Sequence, residues 1–217
     1  MSRQVKIYRW IVFALAVAYF ADRFRFETFT MEHFGWQFRY LTIWALGLSM
    51  ASAGFMLTRT FSRRDGRAAG FVSVTAVVNA LVVFSYWRLF FQDPELVNGG
   101  NPILAYREYY LHLAGPLLQW IDVLFIKRAF RYGLRTSMWL AALVLVYVEW
   151  AEFVVRPLND KPVGTYETGL PYPFLNDMAA DERALFYLSI FATGLVFVLV
   201  FRIVQGLILG VANVSRA

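Results

Sequence analysis

Six mostly apolar stretches alternate along the chain with short polar segments. They run from about 8 to 26, 40 to 57, 68 to 91, 109 to 126, 134 to 155 and 184 to 211. A helix that crosses a bilayer needs about 20 such residues. No stretch shows the period-two alternation of a membrane strand, so a β-barrel is not a competing reading. The pattern predicts an all-α, polytopic membrane helix bundle of six transmembrane helices, a single integral-membrane domain over residues 1–217. The first run lacks a small-residue cleavage site, so it reads as a span and not as a cleaved leader.

The polar segments give this pattern a direction. Arg3, Lys6 and Arg9 precede or open the first stretch; Arg59, Arg63, Arg64 and Arg67 separate the second and third; Lys127, Arg128, Arg131 and Arg135 separate the fourth and fifth. The intervening loops are mixed or acidic, with Asp93 and Glu95 in one and Asp160, Glu167, Asp177, Asp181 and Glu182 in another. Basic loops stay in the cytoplasm, which predicts both termini inside.

Composition agrees with this reading. Hydrophobic residues make up 59% of the 217 and charged residues 17%, against about 45–50% and 25% in soluble domains. The net charge of +6 falls in connectors between spans, which points to topology and not to nucleic acid. Cysteine is absent and histidine occurs only at 33 and 112. Thiolate chemistry and a three-histidine metal site within the chain are excluded, and no metal or cofactor is expected.

Polar groups at membrane depth are the functional candidates. They are Thr42, Asn79, His112, Asp122, Glu149 and Glu152, with Arg88 near a span end. Thr42 lies three residues past Arg39 and His112 five past Arg107, roughly 5 and 7 Å into the second and fourth spans. Glu152 and Glu149 precede Arg156 by four and seven residues, roughly 6 and 10 Å deep on the same side. A hydroxyl, an imidazole and two carboxylates at matched depth are the parts of nucleophilic catalysis. Histidine takes the hydroxyl proton, a carboxylate orients the ring, and loop donors such as Tyr172 and Asn176 stabilise the oxyanion. Each also has a plain reading. Thr42 bonds a carbonyl one turn back; His112 links helices; the glutamates pair with Arg88 or Arg156. Asp122 reads as an ion-pair partner of Lys127 or Arg128, and His33 as a solvated loop residue. Gly206 and Gly210, like Gly47, Ala51 and Gly54, match a close-packing spacing.

Three segments, in order, resemble a known family. FGWQFRYLT, ending at Thr42, is similar to the start of the second span in the androgen-induced and androgen-dependent TFPI-regulating membrane hydrolases. YLHLAGPLLQWID resembles their histidine helix, and PYPFLND the signature before their last span. The resemblance covers nearly the whole chain. It implies a threonine hydrolase of fatty-acid esters of hydroxy fatty acids, with Thr42 as nucleophile and His112 as base. Shorter loops, and a proline four rather than five residues past the histidine, are closer to the bacterial branch. That implies a bacterial plasma membrane, with the site toward the outer face.

The expected function is therefore an intramembrane lipid-ester hydrolase whose partners are the membrane and a lipid or fatty-acid ester, with room for a homo-oligomer. The alternative is a lipid-binding or transport protein using His112, Glu149 and Glu152 as a polar relay, against which stands the lack of internal repeats.

Overall fold

The computed structural model describes residues 2–24, 33–58, 66–98, 104–159 and 169–214. The described residues form helices and connecting turns, with no strand among them. Six long helices account for most of them: α1 Arg3–Asp22, α2 Leu41–Thr58, α3 Gly66–Gln92, α4 over 105–127, α5 Gly133–Leu158 and α6 Ala180–Val214. Each coincides with one of the six apolar stretches. By length and apolarity four of them qualify as membrane spans, namely Arg3–Asp22, Ala69–Gln92, Gly133–Leu158 and Ala180–Gly210, while Leu41–Leu57 is a shorter apolar helix. α6 has 35 residues, about 52 Å of helix, well beyond a hydrocarbon core of about 30 Å.

Helix boundaries follow local chemistry. Ser2 caps α1 by accepting the Val5 N–H at 3.3 Å. Arg128 adopts a left-handed conformation, φ 57°, and separates α4 from α5. α4 is not uniform: wide turns occur at 110–114 and 122–127. The first has a visible cause. Pro116 has no N–H to give the carbonyl of His112 one turn back, and its ring crowds that carbonyl.

α3 is the hub. In its most apolar stretch 78% of residues are buried, against 11% in α6 and 17% in α1 and α5. Val72, Val74, Val77 and Leu81 of α3 pack with Leu140 of α5, Val198 and Phe201 of α6, and Val123 of α4. The outer helices turn Trp10, Phe153, Leu188, Leu199 and Leu207 outward, which suits contact with acyl chains. Lipid is as apolar as these side chains, so close packing and buried polar links must hold the helices together. A Cβ at Gly54 would lie 3.0 Å from Phe13, and one at Gly194 2.8 Å from Leu140. At Gly206 and Gly210 nothing lies within 4 Å. Among the described residues the small-residue spacing on α6 therefore meets no other helix, contrary to the reading of its sequence.

The strongest polar link is Arg9 to Asp122. Nε and Nη2 of Arg9 donate to the two carboxylate oxygens at 2.7 and 2.8 Å, with both side chains buried. Asp122 is thus an ion-pair residue, and its bidentate partner, Arg9, comes from α1. The arginines at 59, 63 and 64, and the acidic residues at 160 and 167, lie outside the described residues.

Candidate functional site

Thr42 sits in the first turn of α2, and the segment before it is firmly held. Gly35, at φ 83°, and Trp36, at φ 43°, turn the chain into a short 3-10 helix, Trp36–Arg39. Asn159, at the end of α5, straps this segment by accepting the Phe34 N–H at 2.8 Å and donating to the Phe34 carbonyl at 3.1 Å. The indoles of Trp44 and Trp150 both donate to the Phe38 carbonyl, at 2.8 and 2.9 Å. The Leu41 N–H, one of the donors a helix start leaves unpaired, donates to the Tyr172 hydroxyl at 3.3 Å. Tyr147 donates to the Arg39 carbonyl at 2.9 Å. The residue bearing the candidate nucleophile is therefore fixed from α5 and from the loop before α6.

His112 is fixed from three directions. Its carbonyl, released by Pro116, accepts the Trp87 indole N–H at 2.9 Å. Its ring stacks on Tyr86, centroids 3.6 Å apart and planes 5° from parallel. Its Nε2 lies 3.2 Å from the Glu108 carboxylate, one turn back on α4, and Glu108 also meets the Tyr86 hydroxyl. An ionised carboxylate only accepts, so a neutral imidazole facing it carries its proton on Nε2. Nδ1 is left with its lone pair, buried and without a hydrogen-bond partner among the described residues.

A cleft lies between α1, α2, α3 and α4. Thr42 lines one end, together with Tyr110 and Leu111, the residues next to His112. Ser49, Asn79 and Gln119 line it further along. These three form a bonded layer across the helices. Asn79 Nδ2 donates to Ser49 Oγ at 2.8 Å and to Gln119 Oε1, and Ser49 Oγ donates to Gln119 Oε1 at 3.3 Å. Seven residues from each member, on the same helix, stand Thr42, Tyr86 and His112. Seven residues are two helical turns, about 10 Å. Tyr86 of α3 and His112 of α4 meet as a stack, and the wide turn at 110–114 takes α4 out of the two-turn register at His112.

A family model matches residues 5–206, and its description is FAR-17a/AIG1-like protein. The chain belongs to the FAR-17a/AIG1-like family. This is the androgen-induced family whose segments its sequence resembles. Neither the curated proteins nor the solved structures include a match.

The remaining residues singled out in this FAR-17a/AIG1-like chain are dispersed. Among the described residues α5 lends nothing to the lining of the cleft. Glu149 is exposed on α5, so the carboxylate beside His112 is Glu108 and not Glu149. Glu152 is occupied elsewhere. It accepts from Arg183 Nε at 2.8 Å, Tyr187 at 2.9 Å and Arg156 Nη1 at 3.2 Å, tying the end of α5 to the start of α6. Tyr172 accepts from Leu41, and burial pushes its hydroxyl up to about 12. The Asn176 amide exchanges two bonds with the Leu170 backbone, 2.8 and 3.0 Å, and so shapes the loop that delivers Tyr172. His33 is buried, 2% exposed, not solvated. Arg88 is exposed. Glu108 escaped the sequence reading because it falls one residue before the expected fourth span. Its spacing of four from His112 was the available signal.

Proposed function

We propose that this protein is an intramembrane hydrolase of lipid esters, of the type that joins a fatty acid to a hydroxy fatty acid, with Thr42 as nucleophile and His112 as base. One observation supports the reading: Thr42 lines a cleft together with Tyr110 and Leu111, the residues next to a His112 whose Nδ1 has no hydrogen-bond partner among the described residues. Family membership supports it, since the hydrolases it resembles share the segments around both residues.

The chemistry follows from the groups present. Thr42 Oγ1 attacks the ester carbonyl carbon while His112 Nδ1 takes the hydroxyl proton. Glu108, on the other ring nitrogen, holds the tautomer that leaves Nδ1 basic and faces the imidazolium once it forms. The tetrahedral intermediate collapses, the C–O bond of the ester breaks, and the imidazolium returns its proton to the departing alkoxide. Water then repeats the sequence on the acyl-threonine, releasing the fatty acid and restoring Thr42. The start of α2 contributes positive backbone dipole where negative charge develops on the carbonyl oxygen. Tyr172 acts through position: it clamps the amide next to Thr42.

The six helices cross the membrane with both termini in the cytoplasm, and the Thr42 end of the cleft opens toward the outer leaflet, from which an ester enters laterally. The polar-relay alternative is less well supported, because Glu149 is exposed and Glu152 is engaged by two arginines and a tyrosine.

The test is ester hydrolysis by purified protein in detergent. Thr42→Ala and His112→Ala each lower kcat by at least about a hundredfold while keeping the wild-type melting profile, and the double variant is little worse than either, because groups acting as a unit are not additive. Undiminished hydrolysis by Thr42→Ala overturns the proposal.

A further inference from the structure

Gln119 poses a problem that the hydrolytic reading does not address. It is 3% exposed, in the middle of an apolar bundle, where an unpaired amide is costly. Asn79 Nδ2 and the Ser49 hydroxyl both donate to Gln119 Oε1, so the carbonyl side of the amide faces them and the NH2 turns away. That NH2 is buried and has no hydrogen-bond partner among the described residues, and Gln119 lines the same cleft as Thr42. Pinning α2 to α3 and α4 needs only the acceptor oxygen. A donor pair left over at the cleft wall is what a site for a ligand acceptor requires.

The charge of the surroundings narrows the ligand. Arg9 and Asp122, the nearest charged pair along α4, neutralise each other in a bidentate contact. The layer itself holds an amide, a second amide and a hydroxyl, all neutral. A free carboxylate there would be buried without a counter-charge. An uncharged oxygen, such as a hydroxyl, ketone or ester carbonyl, would complete the donors at no such cost. The distance narrows it further. Gln119 shares its layer with Ser49, seven residues from Thr42 on α2, about 10 Å along the cleft.

We propose that Gln119, oriented by Ser49 and Asn79, is a subsite for a neutral oxygen carried within the acyl chain of the substrate, about 10 Å from the scissile carbonyl. The inference rests on the hydrolytic role of Thr42 and adds a substrate class to it. The protein acts on esters of oxygenated fatty acids in preference to esters of plain ones. In such a substrate the chain lies along the cleft from Thr42 to Gln119, with its apolar remainder against α1.

The experiment compares a set of esters of one alcohol, whose acyl chains are equal in length and carry a keto or hydroxyl oxygen at successive positions or none. Wild-type protein hydrolyses one mid-chain position with kcat/KM at least about tenfold above the plain ester, the value of one neutral hydrogen bond. In Gln119→Met, which matches the length of the side chain without its donors, that ratio falls toward one. Gln119→Leu, which also lacks any donor, serves if the first variant does not fold; it loses the ratio as well. Non-hydrolysable ether analogues of the same chains give a second readout that does not need catalysis. The oxygenated analogue raises the melting temperature of wild-type protein more than the plain one does, and Gln119→Met removes the difference. No preference among esters together with equal shifts from both analogues overturns the subsite, as does a preference that survives both substitutions. Failure of every ester to react, with the analogue difference intact, counts against the hydrolase reading and leaves the subsite standing.

Discussion

At the scale of single residues the account turns on which partner each polar group has found. His112 faces Glu108 through Nε2 and keeps Nδ1 bare, which is the state a general base needs. Glu108→Gln keeps the shape of the contact but lets an amide present its N–H to the ring, which favours the opposite tautomer. We expect kcat to fall by at least about tenfold with KM little changed, the pattern of a lost interaction made in the transition state. Glu152 should behave differently. Its two oxygens satisfy Arg156, Arg183 and Tyr187, so Glu152→Gln lowers thermal stability while turnover per folded molecule holds. Measuring melting temperature and rate on one preparation separates the two glutamates. As candidates, Thr42 and His112 stand out in the sequence because a hydroxyl and an imidazole at matched depth in apolar spans are conspicuous. Glu149 was the wrong neighbour for the histidine because depth alone carries no azimuth: a residue at the right level can still face outward.

At the scale of elements, two local devices set the site. Pro116 frees one carbonyl of α4, and Trp87 of α3 takes it, locking the histidine turn to the hub helix. The Tyr172 hydroxyl takes the first amide of α2. Tyr172→Phe removes that acceptor and leaves the amide unpaired, at a cost of about 1–3 kcal/mol. We expect a lower melting temperature together with a drop in kcat, since Thr42 is the next residue. A change in stability alone would assign Tyr172 to the fold and not to the site. The wide turn at 110–114 was not legible beforehand. A proline advertises a kink, but where the extra residue is accommodated depends on which neighbouring donor can use the freed carbonyl, and that donor lies on another helix. The apolar runs, in contrast, set all six helices to within about five residues, because bilayer thickness leaves little freedom in length. α1, α4 and α6 each begin four or five residues before their runs, and in α4 the early start carries Glu108 into the helix.

At the scale of the molecule, the bundle is built around α3, with a ring of helices whose outward faces are apolar. Arg9 and Asp122 join the first helix to the fourth across this ring. Removing one partner, as in Asp122→Ala, strands a buried guanidinium, and we expect a loss of about 3 kcal/mol or more; retention of the wild-type melting temperature would show that the pair is not holding α1 in place. Topology is testable with single cysteines, since the chain has none of its own. Asp93 and Arg131 are both exposed. A cysteine at 93 should react with an impermeant reagent added to intact cells, and one at 131 only after permeabilisation. The reverse would invert the bundle and place the Thr42 end of the cleft at the cytoplasmic face.

The central claim is that Thr42 carries the acyl group. It is tested most directly by treating the folded protein with a lipid-tailed fluorophosphonate, which loses fluoride to an activated hydroxyl and leaves a stable phosphonate ester, and then mapping the modified peptide. The account predicts one adduct, on Thr42, formed in wild-type protein and strongly slowed in His112→Ala. An adduct on another residue, or no adduct under conditions in which the protein hydrolyses esters, would contradict it.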